Sequence, residues 1–209
     1  MVTARVYPQA FAAISAGEVN WASEAGLKMA LMGTGFSFND THDSWADISA
    51  NDYGSATGYT AGGEALTTKA VSEVDSSTLT ARANTTAYVE GDIRRTGTDS
   101  GRVFLCIVAG TSAASEPGGM ATSAFLASVT DGTVTWVNIG AAITVYDADP
   151  VEWNGLDETG TLGAVIYNDD GANEPLLVFI DFEATETPTD LTVTPPGEGY
   201  MVFAGGGAL

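Results

Sequence analysis

Short runs of apolar and β-branched residues, bounded by Gly, Asp, Asn or Pro, recur along the chain. Runs of this length and composition are typical of β-strands whose ends are set by turns. The clearest predicted strands are residues 27–32, 101–109, 133–139, 141–146, 163–167 and 176–182. A chain of many short strands buries its apolar residues by forming a sandwich or a barrel, so the pattern predicts an all-β protein.

Helical periodicity is confined to two short segments. Residues 9–16 are rich in Ala and contain no Gly or Pro, which predicts a short helix. Residues 41–48 begin at residues that cap helix N-termini, and we expect a single turn there. The expected fold is therefore a β-sandwich or barrel-like domain with one short helix.

The composition changes between Leu79 and Gly140. This stretch contains four of the seven basic residues, the only cysteine and its own turn signals, such as Glu90-Gly91-Asp92. A segment of about 60 residues lies within the size range of small domains that fold alone. We therefore predict that residues 81–140 form an inserted β module, and that residues 1–80 and 141–209 together form one discontinuous outer domain.

The charge balance limits which partners the protein can bind. The chain has 27 acidic and 7 basic residues, a net charge of −20, and no Lys or Arg follows Arg102. Such a surface repels the phosphate backbone, so the sequence argues against nucleic-acid binding. It favours cationic partners instead.

Cys106 is the only cysteine, which excludes an intrachain disulfide and a thiolate metal cluster. It lies within an apolar run, so we interpret it as a small buried hydrophobic residue. The N-terminus lacks a basic segment followed by an apolar one, and no apolar run approaches ~20 residues. We therefore expect a protein that is made in the cytoplasm and has no membrane anchor.

His42 is the only histidine, so Ser-His or Cys-His catalysis would have to use it. It lies in a loop-like stretch between Thr41 and Asp43, and the chain has no recognisable nucleophile elbow, which favours a surface or capping role. A single histidine also excludes a metal site with several His ligands. We predict no catalytic residues.

Two further patterns argue against a bound cofactor or metal. Residues 58–63 (Gly-Tyr-Thr-Ala-Gly-Gly) are not followed by the Gly-Lys-Ser/Thr of a phosphate loop, and they predict a tight bend that presents Tyr59. Residues 147–152 do not fit a calcium loop, because Val151 occupies a ligand position and Glu152 replaces the required Gly. Residues 168–171 predict a hairpin turn. Adventitious calcium binding and a glycosidase-type pair of carboxylates remain open alternatives.

Several segments resemble a family of small phage proteins encoded among virion genes. The matching residues are Trp21, 27–31 (Leu-Lys-Met-Ala-Leu), 40–43 (Asp-Thr-His-Asp), 57–63, 164–167 (Ala-Val-Ile-Tyr), 175–177 (Pro-Leu-Leu) and 180–182 (Ile-Asp-Phe). The usual members of that family run from the Gly-Gly pair directly to the equivalent of residues 149–153, without the middle module. The resemblance implies a virion protein whose partners are the major capsid protein or other virion proteins.

The inserted module resembles small β modules of phage tail and adsorption proteins, which are distantly similar to chitin-binding modules. The matching residues are 86–92, 106–112, 115–117 and 129–136. Modules of this kind stack sugar rings on exposed aromatic side chains, so Tyr88 and Trp136 are the candidate glycan contacts. The aromatic residue usual after the Glu-Pro pair is replaced by Gly118-Gly119-Met120, and the first-strand Trp is missing. Two aromatic residues in a module of about 60 residues more often belong to its core than to a sugar-binding platform, so both interpretations of Tyr88 and Trp136 stay open.

The two resemblances lead to alternative functional hypotheses. The first is a non-enzymatic virion structural protein, most directly a capsid decoration protein that binds and stabilises the assembled head as a monomer or homo-oligomer. The alternative is a tail-associated or adsorption protein whose module binds a cell-surface polysaccharide, and a neck protein is a third.

At the C-terminus, residues 200–203 predict a final strand that completes the sheet of the outer domain.

Overall fold

The structure, a computed structural model, describes residues 3–54, 57–97, 101–156, 160–170, 173–186, 189–195 and 199–205. The chain is 45% strand and 10% helix, which confirms the predicted all-β class. It divides into two compact units. The first comprises Met1–Val71 and Tyr146–Met201, and the second comprises Ser72–Val145 and Val202–Leu209.

The described residues form sixteen strands and two α-helices. The strands are β1 Thr3–Val6, β2 Leu27–Gly33, β3 Glu64–Ala65, β4 Ala70–Asp75, β5 Ala87–Tyr88, β6 Ile93–Arg95, β7 Val103–Val108, β8 Gly110–Thr111, β9 Ser128–Asp131, β10 Val134–Gly140, β11 Ala142–Asp147, β12 Val151–Asn154, β13 Thr161–Asn168, β14 Leu176–Glu186, β15 Asp190–Val193 and β16 Met201–Gly205. The helices are α1 Pro8–Ser15 and α2 Trp45–Ile48, and short 3-10 turns occupy Ser49–Asn51 and Met120–Thr122.

A five-stranded antiparallel sheet organises the first unit, with strand order β1-β14-β13-β2-β3. Its central strands are almost continuously apolar and buried, as in the alignment of Ala164 on β13 with Leu31 on β2. Strands β12 and β15 form a separate antiparallel pair. One face of the large sheet supports a core cluster of Tyr7, Ala30, Met32, Phe36, Ile48, Val165, Tyr167, Leu176 and Phe179.

The second unit contains a four-stranded antiparallel sheet with strand order β6-β7-β10-β9 and a small β5-β8 pair. Trp136 on β10 is fully buried in a cluster with Tyr88, Phe104, Cys106, Met120 and Val134. A second cluster consists of Ile93, Val103, Ile139, Ile143 and Val145. A three-stranded sheet has the order β16-β11-β4, and most of its residues belong to the second unit.

All six predicted strand segments coincide with observed strands, and the predicted helix at residues 9–16 is α1. Over the described residues the sheets are open, with no closed barrel. The second unit extends beyond residues 81–140 at both ends, because Val74 on β4 and Ile143 and Val145 on β11 pack into one of its cores. The predicted final strand is β16, and it joins the three-stranded sheet rather than the five-stranded one.

Candidate functional site

A groove of about 680 Å³ lies beside α1 in the first unit. One wall is α1, and the other is formed by residues 43–46 and 173–175. We call this surface the α1 groove. Its lining residues are Gln9, Ala12, Ala13, Ala16, Glu18, Asp43, Ser44, Ala46, Asn173, Glu174 and Pro175.

The helical wall of the α1 groove follows from the spacing of small residues. Gln9, Ala12, Ala13 and Ala16 are three or four residues apart, so they share one face of the helix. Alanine side chains leave open space where longer ones would fill the groove. The Gln9 side-chain Nε2 donates to the main-chain oxygen of His42 at 2.6 Å, which ties the helix to the opposite wall.

Main-chain hydrogen bonds fix that opposite wall. The Trp45 N–H donates to the oxygen of Glu174 at 2.9 Å, and the Leu176 N–H donates to the oxygen of Asp43 at 3.2 Å. Behind these residues, the Trp45 ring stacks on Tyr167 with a centroid separation of 4.2 Å and an interplanar angle of 10°. The wall is therefore braced against the buried strand β13.

Glu174 has a backbone φ of +43°, in the left-handed region that non-glycine residues rarely adopt. Such strain persists only where the surrounding structure holds the residue in place, and it concentrates at binding and active sites. Here the hydrogen bond from Trp45 and the following Pro175 fix the position of Glu174. The strained residue thus lies in the wall of the α1 groove and contributes a carboxylate to it.

The α1 groove is anionic. Its described lining includes the carboxylates of Glu18, Asp43 and Glu174 and no Lys, Arg or His. Just outside it, main-chain N–H groups of Asp43 and Ser44 and the Ser44 hydroxyl lower the pKa of Asp47, which stays ionised. An ammonium or guanidinium group with an alkyl stem matches this surface, because the stem can pack on the alanines while the cation pairs with the carboxylates.

His42 lies next to the α1 groove but does not line it. Its contribution is the main-chain oxygen that accepts from Gln9. The imidazole Nδ1 is buried and has no hydrogen-bond partner among the described residues.

The helical turn predicted within residues 41–48 begins at Trp45. It starts there because Ser44 and Asp47 form a reciprocal capping box.

The prediction that residues 58–63 present Tyr59 is wrong, because the Tyr59 side chain is only 5% exposed. Its hydroxyl donates to Asp52 Oδ1 at 2.5 Å and accepts the Leu31 N–H at 3.1 Å. Burial, together with the hydrogen bond to Asp52, raises the pKa of Tyr59. Gly63 has φ +78°, and a Cβ there would lie 1.9 Å from the Met29 oxygen, so the glycine allows the bend to pack against β2. The bend is a structural element.

Both candidate glycan contacts lie in the core of the second unit. Trp136 is 0% exposed and Tyr88 is 5% exposed, and their rings form an edge-to-face pair with centroids 4.9 Å apart. Trp136 Nε1 donates to Asp131 Oδ2 at 3.1 Å, and the Tyr88 hydroxyl accepts the Ala83 N–H at 2.6 Å. A sugar could stack on either ring only if the core opened.

The acidic segments do not form a metal centre in the part of the chain that the structure describes. No group of three or more His, Cys, Asp or Glu residues there could hold a metal ion. Asp149, which belongs to the segment considered for calcium, accepts a hydrogen bond from the Thr68 hydroxyl. The hairpin turn predicted at residues 168–171 connects the antiparallel neighbours β13 and β14, although Gly171 is outside the described residues.

The α1 groove was not predicted from the sequence, because its carboxylates come from three distant segments. One local signal was present, namely the spacing of Gln9, Ala12, Ala13 and Ala16 along a predicted helix.

No described helix is long and apolar enough to cross a bilayer. Comparisons with protein-family models, curated proteins and solved structures found no match.

Proposed function

We propose that this protein is a non-enzymatic structural component of a tailed-phage virion, and specifically a decoration protein that binds the assembled head. The observation that carries the proposal is the α1 groove, whose alanine wall and three carboxylates fit a Lys or Arg side chain from a neighbouring protein. The sequence resemblance to proteins encoded among virion genes gives the context. The partner is the major capsid protein or another virion protein.

The physical character of the α1 groove supports a binding role. Its walls are held by main-chain hydrogen bonds and by ring stacking, so little conformational entropy is lost when a partner side chain enters. An exposed ion pair contributes only about 0.2 to 1 kcal/mol. Useful affinity therefore requires additional contact area or many copies on a repeating lattice.

A decoration protein stabilises the head by mass action, because it binds the assembled lattice and not the free subunits. The excess of acidic residues accelerates the approach to a basic surface and makes the binding sensitive to salt. This dependence distinguishes docking through the α1 groove from purely apolar docking.

Cryo-electron microscopy of virions produced from the genome that encodes this chain tests the proposal. We expect density for the two units on the outer surface of the head, at positions that repeat with the capsid lattice. Density confined to the neck or tail would overturn the decoration role, and virions without the chain would overturn the virion role.

A further inference from the structure

The second unit carries an apolar tip formed by Phe125 and Leu126. These two neighbours are 43% and 65% exposed, and Leu126 is the most exposed large apolar side chain among the described residues. Only Ala127 separates them from β9, an edge strand of the four-stranded sheet. Adjacent large apolar residues at this exposure are typical of interaction surfaces.

The tip is held in a fixed conformation. Met120, five residues before Phe125, is fully buried and anchors the segment in the core. The main-chain oxygen of Ser123 accepts hydrogen bonds from the side-chain nitrogens Arg102 Nε at 3.0 Å and Asn138 Nδ2 at 2.9 Å. The Leu126 N–H donates to the Asn138 oxygen at 2.8 Å. A partner that binds Phe125 and Leu126 therefore meets an ordered surface.

Leu126 has a backbone φ of +62°. The left-handed conformation costs about 1 to 2 kcal/mol for a residue with a Cβ, and Leu has no polar side chain to offset that cost locally. Asn or Gly would adopt this positive φ at a lower cost in free energy. An exposed Leu at this position is explained if its side chain binds a partner molecule.

One edge strand of the four-stranded sheet is covered by another segment of the chain, and the other is not. The outer edge of β6 is covered, because Ala81 forms a parallel bridge with Arg95 and the Arg82 N–H donates to the Arg95 oxygen. None of the described strands pairs with the outer edge of β9. Its residues Ser128 and Thr130 are exposed, and the strand contains no Lys or Pro. Edge strands usually carry a Lys or a Pro, which prevents pairing with another chain. The outer edge of β9 lacks this protection.

The tip and β9 also belong to one of the uncharged stretches of a very acidic chain. Residues 117–130 contain no charged residue, although the protein has 27 acidic and 7 basic residues in total. The next residue, Asp131, is buried and paired with Arg82. Two copies with a net charge of −20 repel each other, but residues 117–130 bring no carboxylate of their own to a contact between them.

We propose that this surface binds a second copy of the same chain. The two β9 strands pair antiparallel about a twofold axis and join two four-stranded sheets into one continuous sheet. Because antiparallel partners run in opposite directions, the tip of each copy lies beside the β9–β10 turn of the other. The backbone pairing supplies hydrogen bonds, and Phe125 and Leu126 supply apolar contact area. This inference does not depend on the α1 groove.

Sedimentation velocity of the full chain, over a range of concentrations at low and high salt, tests the proposal. We expect a monomer–dimer equilibrium that strengthens with salt, because salt screens the repulsion between the two copies. Leu126→Asn keeps a residue that tolerates the positive φ, and it should raise the dimer Kd by about tenfold or more, as expected for a central apolar contact worth over about 1.4 kcal/mol.

Thr130→Lys, which places a charge on the β9 edge, should have the same effect as Leu126→Asn. Ile107→Asn is the control, because Ile107 is a 43% exposed apolar residue on β7 and should leave the dimer unchanged. Thermal melting of each variant verifies its folding. A monomer under all conditions, a dimer that weakens with salt, or a dimer unaffected by Leu126→Asn and Thr130→Lys would each overturn the proposal.

Discussion

Arg82 and Asp131 form a buried ion pair in the second unit, with side-chain exposures of 1% and 0%. The guanidinium Nε and Nη2 donate to the two carboxylate oxygens at 2.8 and 2.7 Å. Asp131 also accepts the Ala113 N–H at 2.9 Å and the Trp136 Nε1–H at 3.1 Å. This pair therefore connects the segment before β5 with the β9–β10 turn and with the central tryptophan.

Replacing Asp131 with Asn should unfold the second unit at a lower temperature. The change leaves the Arg82 charge buried without a partner, which costs about 3 to 5 kcal/mol. Asp181→Asn is the control, because Arg5 and Asp181 form a more exposed pair at 3.6 Å, and its loss should cost at most about 1 kcal/mol. Thermal and urea unfolding give both values, and equal losses would contradict the assigned role of the pair.

The contribution of the pair should also depend on pH. Burial alone would raise the pKa of Asp131, but hydrogen bonds from Arg82, Ala113 and Trp136 outweigh it and lower the pKa below its usual range. A carboxylate with a lowered pKa stabilises the fold above its unfolded pKa of about 4, and this stabilisation is lost as the pH falls through the folded value. The free-energy difference between the wild type and Asp131→Asn should be constant near neutral pH and shrink below about pH 4. A difference that grew on acidification would contradict this sign.

The sequence predicted the strands well because each is a local pattern of apolar residues between turn formers. It also predicted that Cys106 is buried, and the residue is 1% exposed. Features that depend on distant partners were harder to predict. Tyr59 looked like an exposed bend residue because its acceptor, Asp52, lies seven residues earlier and has no pattern of its own. The carboxylates of the α1 groove, such as Glu18 and Glu174, line one surface only in the folded unit.

The α1 groove can be tested with Glu174→Asn and a matched control. Asn tolerates a positive φ better than Glu, so the substitution should leave the melting temperature unchanged or raise it. It removes one carboxylate, and the affinity for a tri-arginine peptide should fall by up to about fivefold, the equivalent of about 1 kcal/mol. NMR titration of the Gln9 side-chain amide measures the binding.

Glu183→Asn is the matched control for Glu174→Asn. Glu183 is also an acidic residue with a positive φ, of +62°, and it does not line the α1 groove. Like Glu174→Asn, the substitution Glu183→Asn should leave the melting temperature unchanged or raise it. Unlike Glu174→Asn, it should not change the affinity for the tri-arginine peptide. A tri-alanine peptide should not bind either variant or the wild type. If both substitutions weaken peptide binding equally, binding reflects net charge alone and the α1 groove is not the site.

Cys106 should report the opening of the second unit. Burial raises the pKa of its thiol, and the sulfur donates to the Val108 oxygen at 3.3 Å. The folded protein should therefore react with a thiol reagent such as dithiobisnitrobenzoate only through rare opening of the core. Asp131→Asn should accelerate the reaction, and Asp181→Asn should not. Fast reaction in the wild type under native conditions would show that the core around Cys106 is accessible.

The C-terminal segment should be required for stability. Tyr200 and Met201 are 2% and 1% exposed, and the Tyr200 hydroxyl donates to the Val193 oxygen at 3.1 Å. A chain that ends at Pro195 loses both side chains, at about 2 to 3 kcal/mol for each. Because such a sum is a large part of the stability of a typical domain, we expect a strongly lowered melting temperature. A chain that ends at Gly205 is the control, and it should melt like the full protein.

The sheet of the first unit is built from two parts of the sequence that the ribosome delivers at different times. Strand β2 ends at Gly33, and its main partner β13 is complete only at Asn168. At a synthesis rate of about 5 to 20 residues per second, the strand waits on the order of ten seconds for that partner. During this interval the apolar residues Leu27, Met29 and Leu31 can pair only with the two-residue strand β3, while the intervening second unit emerges. The first unit should therefore depend on chaperones or slow synthesis more than the second, and premature termination before β13 should yield an aggregation-prone fragment.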